Sequence, residues 1–345
     1  MKACILRKDN ISLEGIQFVE LPDPSPGPDE VLIRIHAVSL NYRDYLIVTN
    51  NYSTEKINHD LVLLSDGAGE VVGLGSNVTR FELGDRVAGT FFQVWKDGPM
   101  NERSPALGLP LPGVMAELVT LHEDGVVRIP NSLSYEDAAA LPCAGVTAWN
   151  ATMESGRSVR PGETVLCLGA GGVSLLAAQF ADAAGARVIL ASSNDEKLKR
   201  AYKLLPGQNS GDGINYNDVP QWDENVLNLT HGRGADHIIE LGGAGTLARS
   251  YRALAFGGKI ALIGFRPDSA GDCNPWPLMM KDGRIHGVGV GSTRMFEDMN
   301  RAIEVNRIKP PVDRVFACSE TVDAFKYLAS GTSVGKIVIR FATER

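Results

Sequence analysis

Gly169, Gly171 and Gly172 stand where one apolar pattern, Val165, Leu166 and Leu168, gives out and another begins at Val173, Leu176, Ala177, Phe180 and Ala184. A period of two residues hands over to one of about 3.6, the mark of a strand entering a helix. A second β-branched run, Arg187 to Ala191, follows the helix, so residues 164–201 read as one βαβ unit with a glycine turn at its first crossing. That turn has a specific use. Gly169 allows a sharp reversal and Gly171 lets bare backbone approach a pyrophosphate. The helix opening at Gly172 and Val173 then aims free N–H groups and a positive dipole end at the anion. Ser174 sits where glycine or alanine is usual and is small enough to fit. The competing reading, a glycine turn that binds nothing, is weakened because the turn both follows a strand and opens a helix.

The tip of the second strand bears on which dinucleotide is held. An NAD-binding unit places Asp or Glu about 20 residues on, where it accepts from the ribose hydroxyls. This chain carries Ser192 and Ser193 there, with Lys197 one turn beyond. Two hydroxyls and an ammonium suit a 2′-phosphate, which a carboxylate would repel, so the cofactor expected is NADPH. Asp195 is the rival acid, although Asn194, Asp195 and Glu196 also read as the cap and acidic first turn of the next helix. Lys197 is either a phosphate partner or a solvated surface lysine.

The rest of the chain must position this turn and its partner groups. A length of 345 residues suggests two domains. A net charge of −7 and the lack of basic runs argue against a nucleic-acid surface. No stretch approaches about 18 uninterrupted apolar residues, so no membrane span is expected. The opening MKACILRKDN has too short an apolar run for a signal peptide. Cys4, Cys143, Cys167, Cys273 and Cys318 are odd in number and scattered, as in reduced, cytoplasmic proteins.

Short alternating runs fill the first third: ACIL, IQFVEL, VLIRIHAVSLN, then GEVVGLGSNVTRFELGDRVAG and AELVTL, separated by Pro and Gly turns. They predict half-buried strands of an antiparallel sheet or barrel. Residues 91–113 have no sustained period, and Phe91, Phe92 and Trp95 within them either wall a substrate pocket or plug the barrel. From Ser134, a candidate N-cap, YEDAAALPCAGVTAWNATM reads as helical. Beyond the glycine turn the order is INY, a helix over 222–229, DHIIE, a helix over 244–255, KIALIGF and RIHGVGVG. LLPGQNSGDG is left as a surface loop. This α/β alternation predicts a doubly wound parallel sheet with its ligand at the strands' carboxyl ends. The tail holds helices near 295–305 and 322–328 and the strand GKIVIRF, which is expected to return to the first domain.

These residues carry a resemblance. SLNYRDY (39–45), SDGAGEVVGLG (65–75), GDRV (84–87), LPCAGVTAW (141–149), GAGGVS (169–174), GRGADHIIE (232–240) and GKIVI (335–339) occur in the order seen in the medium-chain dehydrogenase/reductase superfamily. The chain resembles that superfamily's zinc-free branch, similar to quinone oxidoreductases and enoyl reductases. The resemblance implies a GroES-like β-barrel catalytic domain over 1–130, a Rossmann NADP-binding domain over 131–292 and a C-terminal segment, 293–345, completing the first. It places Thr147 near the nicotinamide and Tyr216 near the adenosine end. Gly264, Phe265, Val290, Gly291 and Ser292 would line the far half of the cofactor groove. Thr147 could equally cap its helix and Tyr216 close its strand. Relatives commonly form homodimers through the edge strand that RIHGVGVG resembles, which would satisfy an exposed sheet edge.

Zinc-using relatives hold their metal with a cysteine and the histidine of a GHE motif. Those places fall here on Asn41 and on Leu64, Ser65 and Asp66, poor ligands beside thiolate and imidazole, and no four-cysteine cluster lies between Cys4 and Cys143. No metal is therefore expected. Without a Lewis acid, charge developing on a substrate oxygen must meet hydrogen-bond donors, which suits a quinone or an α,β-unsaturated carbonyl compound that spreads its own charge. Asn41 is the expected oxygen anchor and Tyr52 the expected proton source, with water as its alternative. Tyr42, Arg43 and Asp44 read as organisers of their loop. Two rivals remain: a metal-independent alcohol or aldehyde dehydrogenase, and a protein that binds NADPH without turnover.

Overall fold

The computed structural model describes residues 1–52, 57–100, 104–205, 210–264, 271 and 273–341. It opens with β1 (Lys2–Leu6) and β2 (Ile16–Glu20), an antiparallel pair, and then the long β3 (Glu30–Leu40). Next come α1 (Tyr42–Val48), β4 (Leu61–Val62), β5 (Asp66–Leu74), β6 (Arg86–Gly89), β7 (Leu118–His122), β8 (Val126–Arg128) and α2 (Tyr135–Ala139). Ser134 caps α2 as expected, its hydroxyl accepting from the Asp137 N–H. The helical stretch that follows is not one α-helix. Wide π turns over Leu141–Gly145 and Asn150–Glu154 flank α3 (Val146–Trp149), and Pro142, with no N–H to donate, sits in the first of them.

The second part alternates: β9 (Thr164–Leu168), α4 (Gly172–Ala183), β10 (Arg187–Ser192), α5 (Asp195–Lys203), β11 (Ser210–Asn215), α6 (Trp222–Leu229) and β12 (Ala235–Glu240). Then come α7 (Ala244–Ala253), β13 (Leu254–Leu262), α8 (Trp276–Met280) and β14 (Arg284–Gly287). The tail supplies α9 (Thr293–Asn306), β15 (Val312–Ala317), α10 (Thr321–Ala329) and β16 (Lys336–Arg340).

Two compact units result, Met1–Val146 with Gly291–Arg345, and Thr147–Val290. Residues 131–146, expected with the nucleotide-binding part, belong to the first unit. The Ser39 hydroxyl donates to the Ala139 carbonyl at 2.7 Å and the Cys143 N–H to Asp66 Oδ2 at 3.1 Å, tying the segment to the barrel sheet.

The first unit is a GroES-like fold whose main sheet runs β15-β16-β3-β5-β6-β8, with β7 also on β3. Its core gathers Ile33, Leu61, Leu63, Met115 and Phe325. The C-terminal strand does return to the first domain, pairing antiparallel with β3 through Ile337–Leu40 and Val338–Ser39. Its parallel neighbour β15 was not expected, because VDRVFA alternates weakly and gains its partner only from β16.

The second unit is a Rossmann-type sheet, all parallel, ordered β11-β10-β9-β12-β13-β14. β9 and β12 are buried at every residue, as central parallel strands covered on both faces must be. Two boundaries moved. Residues 210–213, read as loop, extend β11, and β13 begins at Leu254, inside the helix expected to reach 255. Of RIHGVGVG only Arg284–Gly287 is strand, an exposed edge. All five cysteines stand unpaired. Among the described residues no helix is long and apolar enough to cross a membrane.

Candidate active site

In the second unit the expected cofactor residues collect at the carboxyl ends of the parallel strands. Gly169 leaves β9 at φ +90°, a left-handed conformation that a side chain would strain. Its N–H reaches the Ala191 carbonyl at 2.6 Å, and the Ser174 hydroxyl donates to the Leu168 carbonyl at 2.7 Å, closing the turn on its own strand. Serine at 174 thus serves the turn. Gly171 is the N-cap of α4 at φ −84°, exposed, with nothing within 4 Å of where a Cβ would stand. Gly172 and Val173 open that helix, half-buried. An open cradle above the N–H groups of a helix terminus fits a phosphate group.

Ser192 ends β10 and is 2% exposed, whereas Ser193 is half-buried. Asn194 caps α5 by accepting from the Lys197 N–H at 2.9 Å, so Asn194, Asp195 and Glu196 form the start of that helix. Burial and the charge of Arg200 lower the Lys197 pKa; Lys197 stands in the first turn of α5 and Arg200 in its last. Arg200 was not singled out from the sequence. Tyr216 follows β11, its N–H bound to the Ser192 carbonyl at 3.0 Å and its side chain partly exposed. Gly264 follows β13, where a Cβ would lie 2.3 Å from the Leu241 carbonyl oxygen, so close backbone packing requires glycine. Phe265 lies outside the described residues.

The remaining expected positions lie at the units' boundaries in sequence. Thr147 is buried within α3. Val290 holds φ +59°, an outlier for a β-branched residue, with its carbonyl fixed by Asn150 Nδ2 at 2.7 Å. Gly291 has no room for a side chain, since a Cβ would stand 2.7 Å from Val146 Cγ1. Ser292 caps α9.

In the first unit, Asn41 sits where β3 ends and α1 begins. The β3–β16 register sets Leu40 opposite Ile337, and continuing it by one residue brings Lys336 to Asn41. The Lys336 ammonium donates to Asn41 Oδ1 at 2.6 Å and to the Leu40 carbonyl at 2.8 Å, and lies 3.5 Å from Asp66 Oδ2. Both charges are buried, with side chains 4% and 0% exposed. A buried pair persists only when its remaining hydrogen bonds are met. Asp66 also accepts from the Ser65 hydroxyl at 2.7 Å and the Cys143 N–H at 3.1 Å. Asn41 Nδ2 in turn donates weakly to Ser65 Oγ, at 3.4 Å. Leu64, just before, holds φ +67° in the GHE glycine's place.

The helix residues act as organisers. Asp44 Oδ2 accepts from the Asn41 backbone N–H at 2.7 Å, and burial raises its carboxyl to about 6 although the Arg43 charge opposes this. Arg43 donates to the carbonyls of Leu107 and Leu109, pinning the 91–113 loop. Its guanidinium lies over the Tyr52 ring at 4.9 Å and the Phe91 ring at 4.8 Å. Phe91 and Trp95 are buried, Phe92 touches both, and the three pack as a plug.

Sequence reasoning missed Lys336 and Cys143. Both stood inside recognised motifs, GKIVI and LPCAGVTAW, but nothing local marked them as neighbours of Asn41. Burial first, and the Asp66 charge second, push the Cys143 thiol up to about 12, so it stays protonated at neutral pH.

Residues 27–131 match the family model described as alcohol dehydrogenase GroES-like domain, and residues 172–305 the one described as zinc-binding dehydrogenase. A zinc-type alcohol dehydrogenase-like protein of Schizosaccharomyces pombe is 41% identical over 321 residues, 91% of either chain. An acryloyl-coenzyme A reductase of Sulfurisphaera tokodaii is 26% identical, covering 95% of this chain and 97% of that one. A solved structure titled NAD-dependent alcohol dehydrogenase superposes with a TM-score of 0.86 at 30% identity, over 99% of this chain and 100% of that one. Other similar proteins are named quinone oxidoreductases.

The zinc of the second model's description does not fit the donors around Asn41. An amide, a hydroxyl and one carboxylate already neutralised by an ammonium form a poor set for Zn²⁺. Among the described residues no three His, Cys, Asp or Glu side chains group as a metal site. Matched over most of its length by the two domain models together, 41% identical to a zinc-type alcohol dehydrogenase-like protein, and carrying a GroES-like sheet and a six-stranded parallel sheet, the chain belongs to the medium-chain dehydrogenase/reductase superfamily.

Proposed function

We propose that the protein is an NADPH-dependent oxidoreductase that reduces a quinone or an α,β-unsaturated carbonyl compound without a metal. The observation that carries this reading is the Asn41–Lys336–Asp66–Ser65 cluster, in which an amide and a hydroxyl stand in the places of zinc ligands and a buried ammonium holds the amide oxygen. The names of the acryloyl-coenzyme A and quinone-reducing relatives agree with a conjugated substrate.

Bound NADPH supplies a hydride, which a conjugated acceptor takes at carbon while its charge moves onto oxygen. The glycine turn and the start of α4 would bind the pyrophosphate, with Ser192, Ser193, Lys197 and Tyr216 at the adenosine end. Asn41 would donate to the substrate oxygen as charge grows there. Tyr52, whose ring lies under the Arg43 guanidinium, would deliver the proton. Tyr52→Phe should lower kcat by about two orders of magnitude, within the range for a general acid. Turnover within a few-fold of the parent would assign the proton to water.

The reading is tested by following NADPH oxidation with paired enone and saturated ketone substrates, alongside metal analysis of the active protein. Preference for the enone in metal-free protein supports it; stoichiometric Zn²⁺ that cannot be removed without loss of activity would falsify it. A second reading, an NAD-dependent alcohol dehydrogenase, is favoured by the name of one solved neighbour. The Ser192 position separates the two cofactors. Ser192→Asp should move the ratio of kcat/KM for NADPH over NADH toward NADH by tenfold or more, about 1.4 kcal/mol, because a carboxylate there repels the 2′-phosphate. An unchanged ratio refutes the NADPH assignment.

We also propose that the protein is a cytoplasmic homodimer joined through the exposed edge strand β14. Sedimentation of the intact chain checks the dimer.

A further inference from the structure

Lys336 has three N–H groups and three acceptors: the Leu40 carbonyl at 2.8 Å, Asn41 Oδ1 at 2.6 Å and Asp66 Oδ2 at 3.5 Å. The shortest of these contacts decides how the Asn41 amide faces. An ammonium only donates, so the atom against it must be the amide oxygen. The amide's two N–H groups are thereby turned the other way. Ser65 Oγ, whose own proton goes to Asp66, is the acceptor found for them among the described residues, and it is distant at 3.4 Å. A half-buried amide with its acceptor edge filled and its donor edge underused is set up to donate. If it turned over, its carbonyl oxygen would oppose any anion growing on a substrate.

We propose that Lys336 is a positioning residue for the reduction, whose ammonium holds the Asn41 carbonyl oxygen so that the amide presents N–H groups to the substrate oxygen. This rests on Asn41 being the oxygen anchor. Asp66 has a separate part: its carboxylate balances the buried ammonium, and the β3–β16 register brings the lysine to it across almost the full sequence. Lys336 does not itself touch substrate, since its hydrogens are committed within the cluster.

The test uses the intact chain loaded with NADPH and benzoquinone or methyl vinyl ketone as probe. Asn41→Ala, Lys336→Met and the two together are compared by kcat and KM. Lys336→Met/Asp66→Asn is the version that leaves no lone buried carboxylate should Lys336→Met fail to fold. Losing one oxyanion donor costs on the order of 10²–10³ in kcat, so Asn41→Ala should fall in that range and Lys336→Met should lose at least tenfold. With Asn41 already absent, removing Lys336 should cost less than about twofold more, because coupled residues are not additive. Lys336→Arg should recover most of kcat. Independently of turnover, the Asn41 side-chain amide resonances of the cofactor-free protein, assigned by their loss in Asn41→Ala, should shift in Lys336→Met.

Three outcomes separate the failures. Full activity of Asn41→Ala overturns the anchor reading and this proposal with it. A large Asn41→Ala loss to which the Lys336 loss multiplies in full overturns the proposal alone, as does recovery of parental kcat in Lys336→Met/Asp66→Asn, which would make Lys336 only a counter-charge for Asp66.

Discussion

Gly171→Val should weaken NADPH binding by at least a hundredfold while the protein still folds. The expectation comes from separating what the fold needs at this position from what a ligand needs. Gly171 has φ −84°, a value any residue adopts, and nothing stands within 4 Å of an added Cβ. Valine at a helix N-cap should therefore cost only about 1 kcal/mol, a shift in melting temperature of a few degrees. The same open space is where a pyrophosphate must lie against bare N–H groups at the start of α4, and three added carbons would hold it away. A hundredfold loss corresponds to about 2.7 kcal/mol, modest for the removal of direct phosphate contacts. Gly169 gives the contrast. Its φ of +90° makes Gly169→Val a folding lesion, seen as a lower melting temperature before any ligand is added. Titration with NADPH and calorimetry on both variants decides the point. Parental affinity in Gly171→Val would mean that this turn does not carry the dinucleotide.

The turn was legible because its signal is local. The switch of apolar period at Gly169 to Val173 and the serines at the strand tip about 20 residues on belong to one βαβ unit, and local geometry follows from neighbours in sequence. The order of strands and helices from β9 to β14 was readable for the same reason, except that the short helix α8 was not expected and some ends moved. β11 reaches back to Ser210 and β13 to Leu254, since parallel pairing with β10 and β12 overrides the glycines and the helical spacing there. What was not legible depends on chain segments far apart. VDRVFA becomes β15 only beside β16, and NYRDYLIV, read as an organised loop, forms α1 because the Asp44 carboxylate holds the Asn41 N–H at its start.

The candidate anchor shows the same division. Asn41 was found from the resemblance of SLNYRDY, yet what surrounds it was hidden. Lys336 and Cys143 are joined to it through strand register and the Asp66 carboxylate, not through spacing. Lysine in a terminal strand is ordinarily read as solvated, and only its 3% exposure and the 2.6 Å contact mark this one as different. Phe91 and Trp95 show the reverse. Two readings were open in the sequence, and the burial of both, with the Arg43 guanidinium over the Phe91 ring, favours packing.

The substitution that tells most about the chemistry changes one atom type at this centre. Asn41→Asp keeps the size of the side chain and offers Lys336 a carboxylate oxygen in place of an amide oxygen at 2.6 Å. That contact, already charge-assisted by the ammonium, becomes an ion pair and stronger, while the nearby Asp44 and Asp66 oppose a third negative charge. The two effects offset, and the melting temperature should move by only a few degrees. Activity should not survive in proportion. The amide's N–H groups are replaced by an oxygen that repels an enolate or hydroquinone anion, so kcat for an enone should fall by about 10²–10³ or more, with KM changed far less. The pH profile adds a signature that damage to the fold cannot imitate. A protonated carboxyl has an O–H to donate, so the residual kcat of Asn41→Asp should rise as the pH falls. Because the Lys336 charge favours the ionised carboxylate, that rise should come only well into acid. A variant that keeps kcat within a few-fold at neutral pH, folded and saturated with NADPH, would show that the substrate oxygen is met by some group other than Asn41.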